Sequence, residues 1–328
     1  MKSILIGMTR SKTYVRPPRL GARSRIAIVS PSGPCLDADD LARAIELCQR
    51  LGFEPQPGTH ALDRMGYLAG TDAQRVRDLN VALRDPDVDA IWCLRGGYGL
   101  TRILDEVDYG ALEARPRVLV GFSDVTALLL AASATTGVVT FHGPTARQPM
   151  PAFTHRHFER VLLHPAPAGL LEQLPAPADV LVPRENRVVT LAPGTAEGPL
   201  LGGNLSLVQC LIGTPFLPAF DGAILFLEDV NEPIYRIDRM LAHLRAAGVL
   251  ARLAGVALGR FTEIQRDGVD GALGLQEVLT TYFGPLGVPV ASGLPIGHVT
   301  DQWTLPIGVR ARLDAGAGTL ELLEPAVS

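Results

Sequence analysis

The sequence predicts an α/β protein, with an N-terminal mostly parallel sheet flanked by helices and a smaller C-terminal α+β domain with irregular strands. Three observations lead there. Short apolar runs in the first half, such as Arg25-Ile26-Ala27-Ile28-Val29-Ser30, are nearly continuous rather than alternating, as expected of strands covered on both faces. Segments of helical period separate them. A Pro/Ala-rich stretch then divides the first half from a second half that opens with the glycine-rich segment Glu197–Asn204.

Taken in order, residues 1–24, with Arg16-Pro17-Pro18-Arg19, read as a flexible basic leader. The first strand, at Arg25, ends in the loop Pro31-Ser32-Gly33-Pro34. Leu41, Ile45, Cys48 and Leu51 recur at helical spacing, and Gly52 closes that helix. A second helix fits Thr71 to Arg84 with Thr71 as its cap. Val88–Leu94 is a strand, Arg95-Gly96-Gly97-Tyr98-Gly99 a turn, and a helix is expected from there through Val107. A strand at Val118, a helix after Asp124 and a strand at Val138–His142 complete an N-terminal domain of residues 25–164. Residues 165–184, with Pro165, Pro167, Pro175, Pro177 and Pro183, form the expected linker, and residues 185–328 the second domain. There, Ala223–Leu227 is a strand, and Ile237, Met240, Leu241 and Leu244 mark a helix stopping at Gly248. Ligands of a parallel sheet collect beyond the strands' carboxyl ends, where Gly33, Gly96-Gly97, Ser123 and His142 fall.

Composition narrows the function classes. Hydrophobic residues at 47% and charged residues at 20% describe a globular chain, and a formal net charge of −4 gives no electrostatic case for nucleic acid or an anionic membrane surface. The four cysteines, Cys35, Cys48, Cys93 and Cys210, are far apart with no C-x-x-C pair, which points to a reduced cytoplasmic setting without a zinc centre. The first residues lack a persuasive signal peptide, and no apolar run approaches the ~20 residues that span a bilayer. A small-molecule or peptide substrate is the expectation.

The chemistry-bearing stretch runs from Arg117 to Ala131. An apolar run ends at Gly121 and an Ala/Leu-rich run begins after Asp124, so the hydroxyl of Ser123 falls on a strand-to-helix turn. A nucleophile placed there would share the point at which the helix aims its N-terminal N–H groups. A helix cap at Ser123 or Asp124 explains the same stretch, and the G-x-S-x-G elbow is missed because position 125 is Val.

A serine nucleophile needs a base and a group to orient it. His298, in the loop Ser292-Gly293-Leu294-Pro295-Ile296-Gly297-His298, is the first choice of base, and His142 in His-Gly-Pro the second. His155-Arg156-His157 reads as a solvated helix start rather than a metal pair. Leu227-Glu228-Asp229-Val230-Asn231-Glu232 sets three acids at a strand end. Glu228 adjoins the strand and is the one expected to be partly buried, while Asp229 and Glu232 can cap the following helix, and all three can be solvated acids. Backbone N–H groups of Asp124 and of the Gly96-Gly97 turn, Gly97 in particular, are candidate oxyanion donors. A phosphate cradle at the same turn is weakly supported, since position 102 is Arg and the G-x-G-x-x-G pattern fails.

Seven segments in order carry a resemblance: Ile28–Pro34, Arg95–Gly99, Val120–Thr126, His142–Pro144, Gly198–Leu205, Leu227–Glu232 and Leu294–His298. With them the chain resembles the LD-carboxypeptidase (murein tetrapeptide carboxypeptidase) family of serine peptidases, which includes the microcin C self-immunity peptidases. The resemblance implies Ser123 as nucleophile, His298 as general base and Glu228 as its orienting acid, with the serine on the first domain, the other two on the second, and a cleft between. It further implies a cytoplasmic, metal-independent and cofactor-free homodimer that removes terminal D-alanine from muropeptide tetrapeptides. Phe122 stands where many relatives carry Tyr. Arg95, Arg102 and Arg236 are candidates to bind the substrate carboxylate, and Tyr98 to contact substrate. The alternative is a self-immunity peptidase acting on a peptidyl- or aminoacyl-nucleotide, which would need an aromatic platform. Of the two tryptophans, Trp92 lies in an expected buried strand and Trp303 follows His298 closely, so muropeptide is preferred. A ligand-binding protein that merely retains the three side chains is a third, less favoured reading.

Overall fold

The four nearly uninterrupted apolar runs expected in the first half become buried strands in the computed structural model, which describes residues 14–37, 39–175, 181, 186–265 and 273–328. In chain order the first half contains β1 (Arg25–Val29), α1 (Asp39–Arg50), β2 (Glu54–Pro57), α2 (Asp72–Arg84), β3 (Ala90–Cys93), α3 (Tyr109–Ala114), β4 (Val118–Gly121), α4 (Thr126–Thr136), β5 (Thr140–His142) and α5 (Ala152–Leu162). The second contains β6 (Gly169–Leu170), β7 (Val189–Ala192), β8 (Thr195–Asn204), α6 (Leu205–Cys210), β9 (Ile224–Val230), α7 (Ile234–Ala246), β10 (Gly255–Thr262), α8 (Leu275–Phe283), β11 (Val290–Ser292), β12 (Leu305–Ile307), β13 (Arg310–Asp314) and β14 (Thr319–Leu322).

Among the described residues these strands make two sheets. The first runs β2-β1-β3-β4-β5-β12, with the first five parallel and β12 antiparallel at the edge. Strand order reverses between β1 and β3, and the loops leaving their carboxyl ends meet there, Gly33 N–H donating to Gly96 O at 3.1 Å. Helix α4 is apolar all round and nearly wholly buried, which suits a helix enclosed on every side rather than one lying on a surface. The second sheet has eight strands in the order β6-β14-β13-β8-β9-β10-β11-β7, and its parallel centre β8-β9-β10-β11 carries the polar groups of interest at its carboxyl ends.

The expected cap of α2 is present as a reciprocal capping box between Thr71 and Gln74. Four expectations change. Residues 14–24 of the supposed leader are tied down: Val15 bridges Val138, Arg19 N–H donates to Ser328 O (3.0 Å), and Leu20 is buried. Residues 1–13 lie outside the described residues. Part of the supposed linker is an edge strand, β6, paired with β14, because the buried side chains of Ala168 and Leu171 anchor it despite the surrounding prolines. Positions 176–180 and 182–185, including Pro177 and Pro183, lie outside the described residues. The helix expected through Val107 is two short 3-10 turns, Leu100–Arg102 and Leu104–Glu106. Ile103 between them leaves the helical region at φ −125° and ψ 3°, so the segment follows the core in two steps. Finally, His157 is not solvated: it sits on the inner face of α5 against Phe153 and Trp303, with ring centroids 4.6 and 6.2 Å away.

No described helix is long and apolar enough to cross a membrane.

Candidate active site

Strand β4 ends at Gly121, and the chain turns sharply so that Ser123 adopts φ +65°, a left-handed conformation that costs a non-glycine residue about 1–3 kcal/mol unless its surroundings hold it. A 3-10 turn, Ser123–Val125, leads directly into α4, so the positive end of that helix stands beside the serine. The turn after β3 lies against it. A Cβ on Gly96 would come within 2.7 Å of Ser123 Cβ and 2.9 Å of its Oγ, so only glycine lets the two turns approach this closely. Among the described residues neither the Gly97 nor the Asp124 N–H donates to another protein group, although each adjoins this contact.

The second sheet supplies the opposite wall. Glu228, at the carboxyl end of β9, is fully buried, beyond the partial burial expected of it. Its Oε2 lies 2.7 Å from His298 Nδ1, and its Oε1 accepts from Asn204 Nδ2 at 3.2 Å. Asn204 is Glu228's register partner on β8, which explains why the amide meets the carboxylate. The His298 loop can come this close because residue 297 is glycine at φ +99°; a Cβ there would fall 2.2 Å from Glu228 Oε2.

Asp229 does not cap the helix that follows it in sequence. Its carboxylate accepts from Ser206 N–H (3.0 Å) and Ser206 Oγ (2.8 Å), and so serves the start of α6, while Asn204 Nδ2 bonds it as well at 2.9 Å. Burial, with the Glu228 charge beside it, pushes Asp229 up to about 6.

Three contacts between the walls lie close to these residues. The Phe122 ring, next to Ser123 in the chain, lies 4.7 Å from the His298 imidazole; His142 lies 5.2 Å from Phe226; and Asn204 N–H donates to Thr126 Oγ1 at 3.1 Å. Ser123, Glu228 and His298 therefore converge on one seam between the sheets. His142, the second-choice base, is at the same seam but fully enclosed, with neither ring nitrogen hydrogen-bonded among the described residues. Burial lowers its pKa to about 4. Shielded from water and held neutral, it has no path for exchanging a proton, whereas the His298 side chain keeps 22% of its surface open.

The candidate substrate contacts separate. Arg102 is engaged by both oxygens of Asp72, at 2.6–3.1 Å, and exposed Arg236 faces Glu232 at 3.6 Å. Arg95 is half-buried, donates to Pro34 O, and has no carboxylate partner among the described residues. Burial, then the neighbouring Arg147 charge, lowers its pKa. Tyr98 is exposed and meets Tyr67 edge-on at 5.6 Å. Both tryptophans are buried: Trp92 stacks on Phe158 at 5.1 Å, and Trp303 donates to Glu172 O at 2.8 Å. Sequence reasoning missed Asn204 as a partner of Glu228, although it lies within the Gly198–Leu205 segment, because its role appears only once β8 and β9 are paired.

Residues 26–143 match the model of the LD-carboxypeptidase N-terminal domain, and residues 197–313 that of the LD-carboxypeptidase C-terminal domain. The chain belongs to the LD-carboxypeptidase family. The murein tetrapeptide carboxypeptidase of Pseudomonas aeruginosa is 36% identical over 88% of this chain and 93% of its own. Among solved structures, the muramoyltetrapeptide carboxypeptidase of Oxalobacter formigenes aligns at TM-score 0.76 and 33% identity, covering 91% of this chain and 98% of its own. The self-immunity protein MccF, in complex with glutamyl sulfamoyl guanosine, aligns at TM-score 0.86 and 26% identity, covering 95% and 99%. LD-carboxypeptidase membership makes this chain a carboxypeptidase of the serine class, and the two-lobed α/β architecture is shared with both solved relatives.

Proposed function

We propose that this LD-carboxypeptidase releases terminal D-alanine from muropeptide tetrapeptides, with Ser123 attacking the penultimate carbonyl, His298 as general base and Glu228 holding the imidazole. The observation that carries the reading is the Glu228–His298 pair at 2.7 Å, with the His298 ring packed at a tilt, 4.7 Å between centroids, against Phe122 beside Ser123. With Nδ1 donating to a buried carboxylate, Nε2 is the nitrogen left to take the serine proton and later return it to the departing D-alanine. The free N–H groups of Asp124 and Gly97 are the oxyanion donors. Arg95, being without a carboxylate partner among the described residues, is the group for the substrate's terminal carboxylate, and exposed Tyr98, three residues on, is a further substrate contact.

Muropeptide is preferred over a nucleotide conjugate because both tryptophans are buried and the Pseudomonas enzyme, named for murein tetrapeptide, is 36% identical. The closer overlay on MccF, at TM-score 0.86, favours the second reading, a self-immunity peptidase acting on an aminoacyl nucleotide. Incubation with the tetrapeptide and, separately, with an aminoacyl sulfamoyl adenylate tests this: D-alanine release supports the first reading and cleavage of the adenylate alone overturns it. A Ser123→Ala variant as fast as the parent removes the catalytic assignment altogether. We further infer a cytoplasmic homodimer; light scattering on the purified protein checks the oligomer.

A further inference from the structure

The turn that carries Gly96 and Gly97 is gripped from behind by two buried side chains that the reaction itself does not use. Arg75 comes from α2, and its side chain is wholly enclosed. It donates to Gly99 O at 3.0 Å and to Pro31 O at 2.5 Å. Asp124, also buried, accepts from Leu100 N–H at 3.0 Å and from the Ser32 hydroxyl.

The partners are paired in a specific way. Gly99 O and Leu100 N–H belong to one peptide unit, so that unit is held on its carbonyl side by a guanidinium and on its amide side by a carboxylate. Pro31 and Ser32 are likewise successive residues, one held by each side chain. The loops after β1 and β3 are thereby clamped between the same two charges, and Gly33 N–H closes them on each other by donating to Gly96 O at 3.1 Å. Arg75 is anchored in turn by Asp72, and its charge favours the ionised form of Asp124 against the burial that raises that carboxyl's pKa. Asp124 is also the residue after Ser123. One side chain thus connects the left-handed serine turn to the glycine turn facing it.

We propose that Arg75 and Asp124 are a positioning pair, fixing the Gly96-Gly97 turn at a set distance from Ser123 before substrate arrives. This rests on the reading of Ser123 as nucleophile and of Gly97 as an oxyanion donor. Neither side chain touches the reacting atoms; their effect is on geometry that must be correct when the oxyanion forms. Displacement of such groups by about 1 Å costs on the order of 10²-fold in rate.

The test uses Ser32→Ala, Asp124→Asn and Arg75→Lys in the full chain, with two readouts. The first is the kcat and KM of D-alanine release from tetrapeptide. The second is the rate of phosphonylation of Ser123 by a fluorophosphonate, followed by intact mass, which needs no knowledge of the natural substrate. Asp124→Asn and Arg75→Lys are expected to lower kcat and the phosphonylation rate by about 10²-fold, and Ser32→Ala by about tenfold, with KM within about threefold of the parent. Ser32→Ala deletes a single hydrogen bond and decides the matter should either charged-residue variant fail to fold. Parental kcat and labelling rate in folded Ser32→Ala overturn the proposal, as does a rise in KM with kcat unchanged, which would make the turn a binding wall only. Activity lost only in proportion to the unfolded fraction overturns it too. A Ser123 in the parent that takes no phosphonyl group overturns the nucleophile reading and this inference with it; a labelled parent with an inert Ser123→Ala keeps the reading standing while the variants judge the pair.

Discussion

Glu228 divides its two oxygens between His298 Nδ1, at 2.7 Å, and Asn204 Nδ2, at 3.2 Å, and has no surface left for water. An amide in its place fits the volume but offers His298 an N–H as readily as a carbonyl, which turns the imidazole to the wrong tautomer. Glu228→Gln is therefore expected to keep the fold and lose about 10³–10⁴ in kcat for D-alanine release. A loss under tenfold would show that the carboxylate does not orient the base.

Gly96 lies where a methyl group would meet Ser123. Gly96→Ala must push the two turns apart, since the added Cβ would stand 2.7 Å from Ser123 Cβ. Its expected effects are a fall in kcat of about 10²-fold and a destabilisation of about 1–3 kcal/mol, read by steady-state kinetics and denaturant unfolding.

Asn204 satisfies two adjacent buried carboxylates, so Asn204→Ala leaves both short of a donor at a cost of about 1–3 kcal/mol. The pH dependence has a definite sign. Asp229 titrates at about 6 in the folded chain against 3.8 as its ordinary value, so the folded form binds the extra proton and stability declines as pH rises between those values. Removal of Asn204 raises that folded value further and extends the decline. Urea unfolding is expected to show a larger deficit for the variant at pH 8 than at pH 5.

His157 acts in the opposite sense. Buried between Phe153 and Trp303, its pKa is lowered to about 4 from 6.5, chiefly by burial. The unfolded chain takes up this proton first on acidification, so the contribution is complete above pH 6.5 and is lost as pH falls toward 4, by up to about 3 kcal/mol. His157→Phe should flatten the acid limb of the stability profile, with Tm at pH 5 rising relative to the parent and little change in kcat at pH 7.5. An unchanged limb would assign the acid sensitivity elsewhere, with His142 the next candidate.

Arg95 alone of the three candidate arginines lacks a carboxylate partner among the described residues. Arg95→Gln is expected to reduce kcat/KM for the tetrapeptide by about 10–100-fold, the worth of a charge-assisted hydrogen bond. Arg102→Gln should leave that ratio within about threefold. Steady-state comparison of the two separates the assignments.

The sequence made the placement of the candidate residues legible where local pattern and short-range order suffice. Ser123 was marked by a strand-to-helix turn, Glu228 by acids crowding a strand end, and both hold in the geometry. What escaped was pairing across long separations. Asn204 meets Glu228 only because β8 and β9 run in register, and Asp229 serves α6 rather than α7 because side chains bond to what is near in space. His157 was misread for a related reason: its neighbours Arg156 and Glu159 are polar, while the face that matters is set by Phe153 one turn earlier. Prolines likewise hid the edge strand at Gly169–Leu170, since its partner lies at the far end of the chain.

Strand β12 returns from the second half of the chain to lie beside β5, pairing Leu305 with His142. The serine-bearing sheet is thus finished by a tripeptide encoded far downstream, and a fragment ending after α5 would leave an open ribbon ready to stick to its own kind. The two halves are interlocked rather than strung together, so neither can be exchanged wholesale for a foreign counterpart: Ser123 and the Glu228–His298 pair come as one piece.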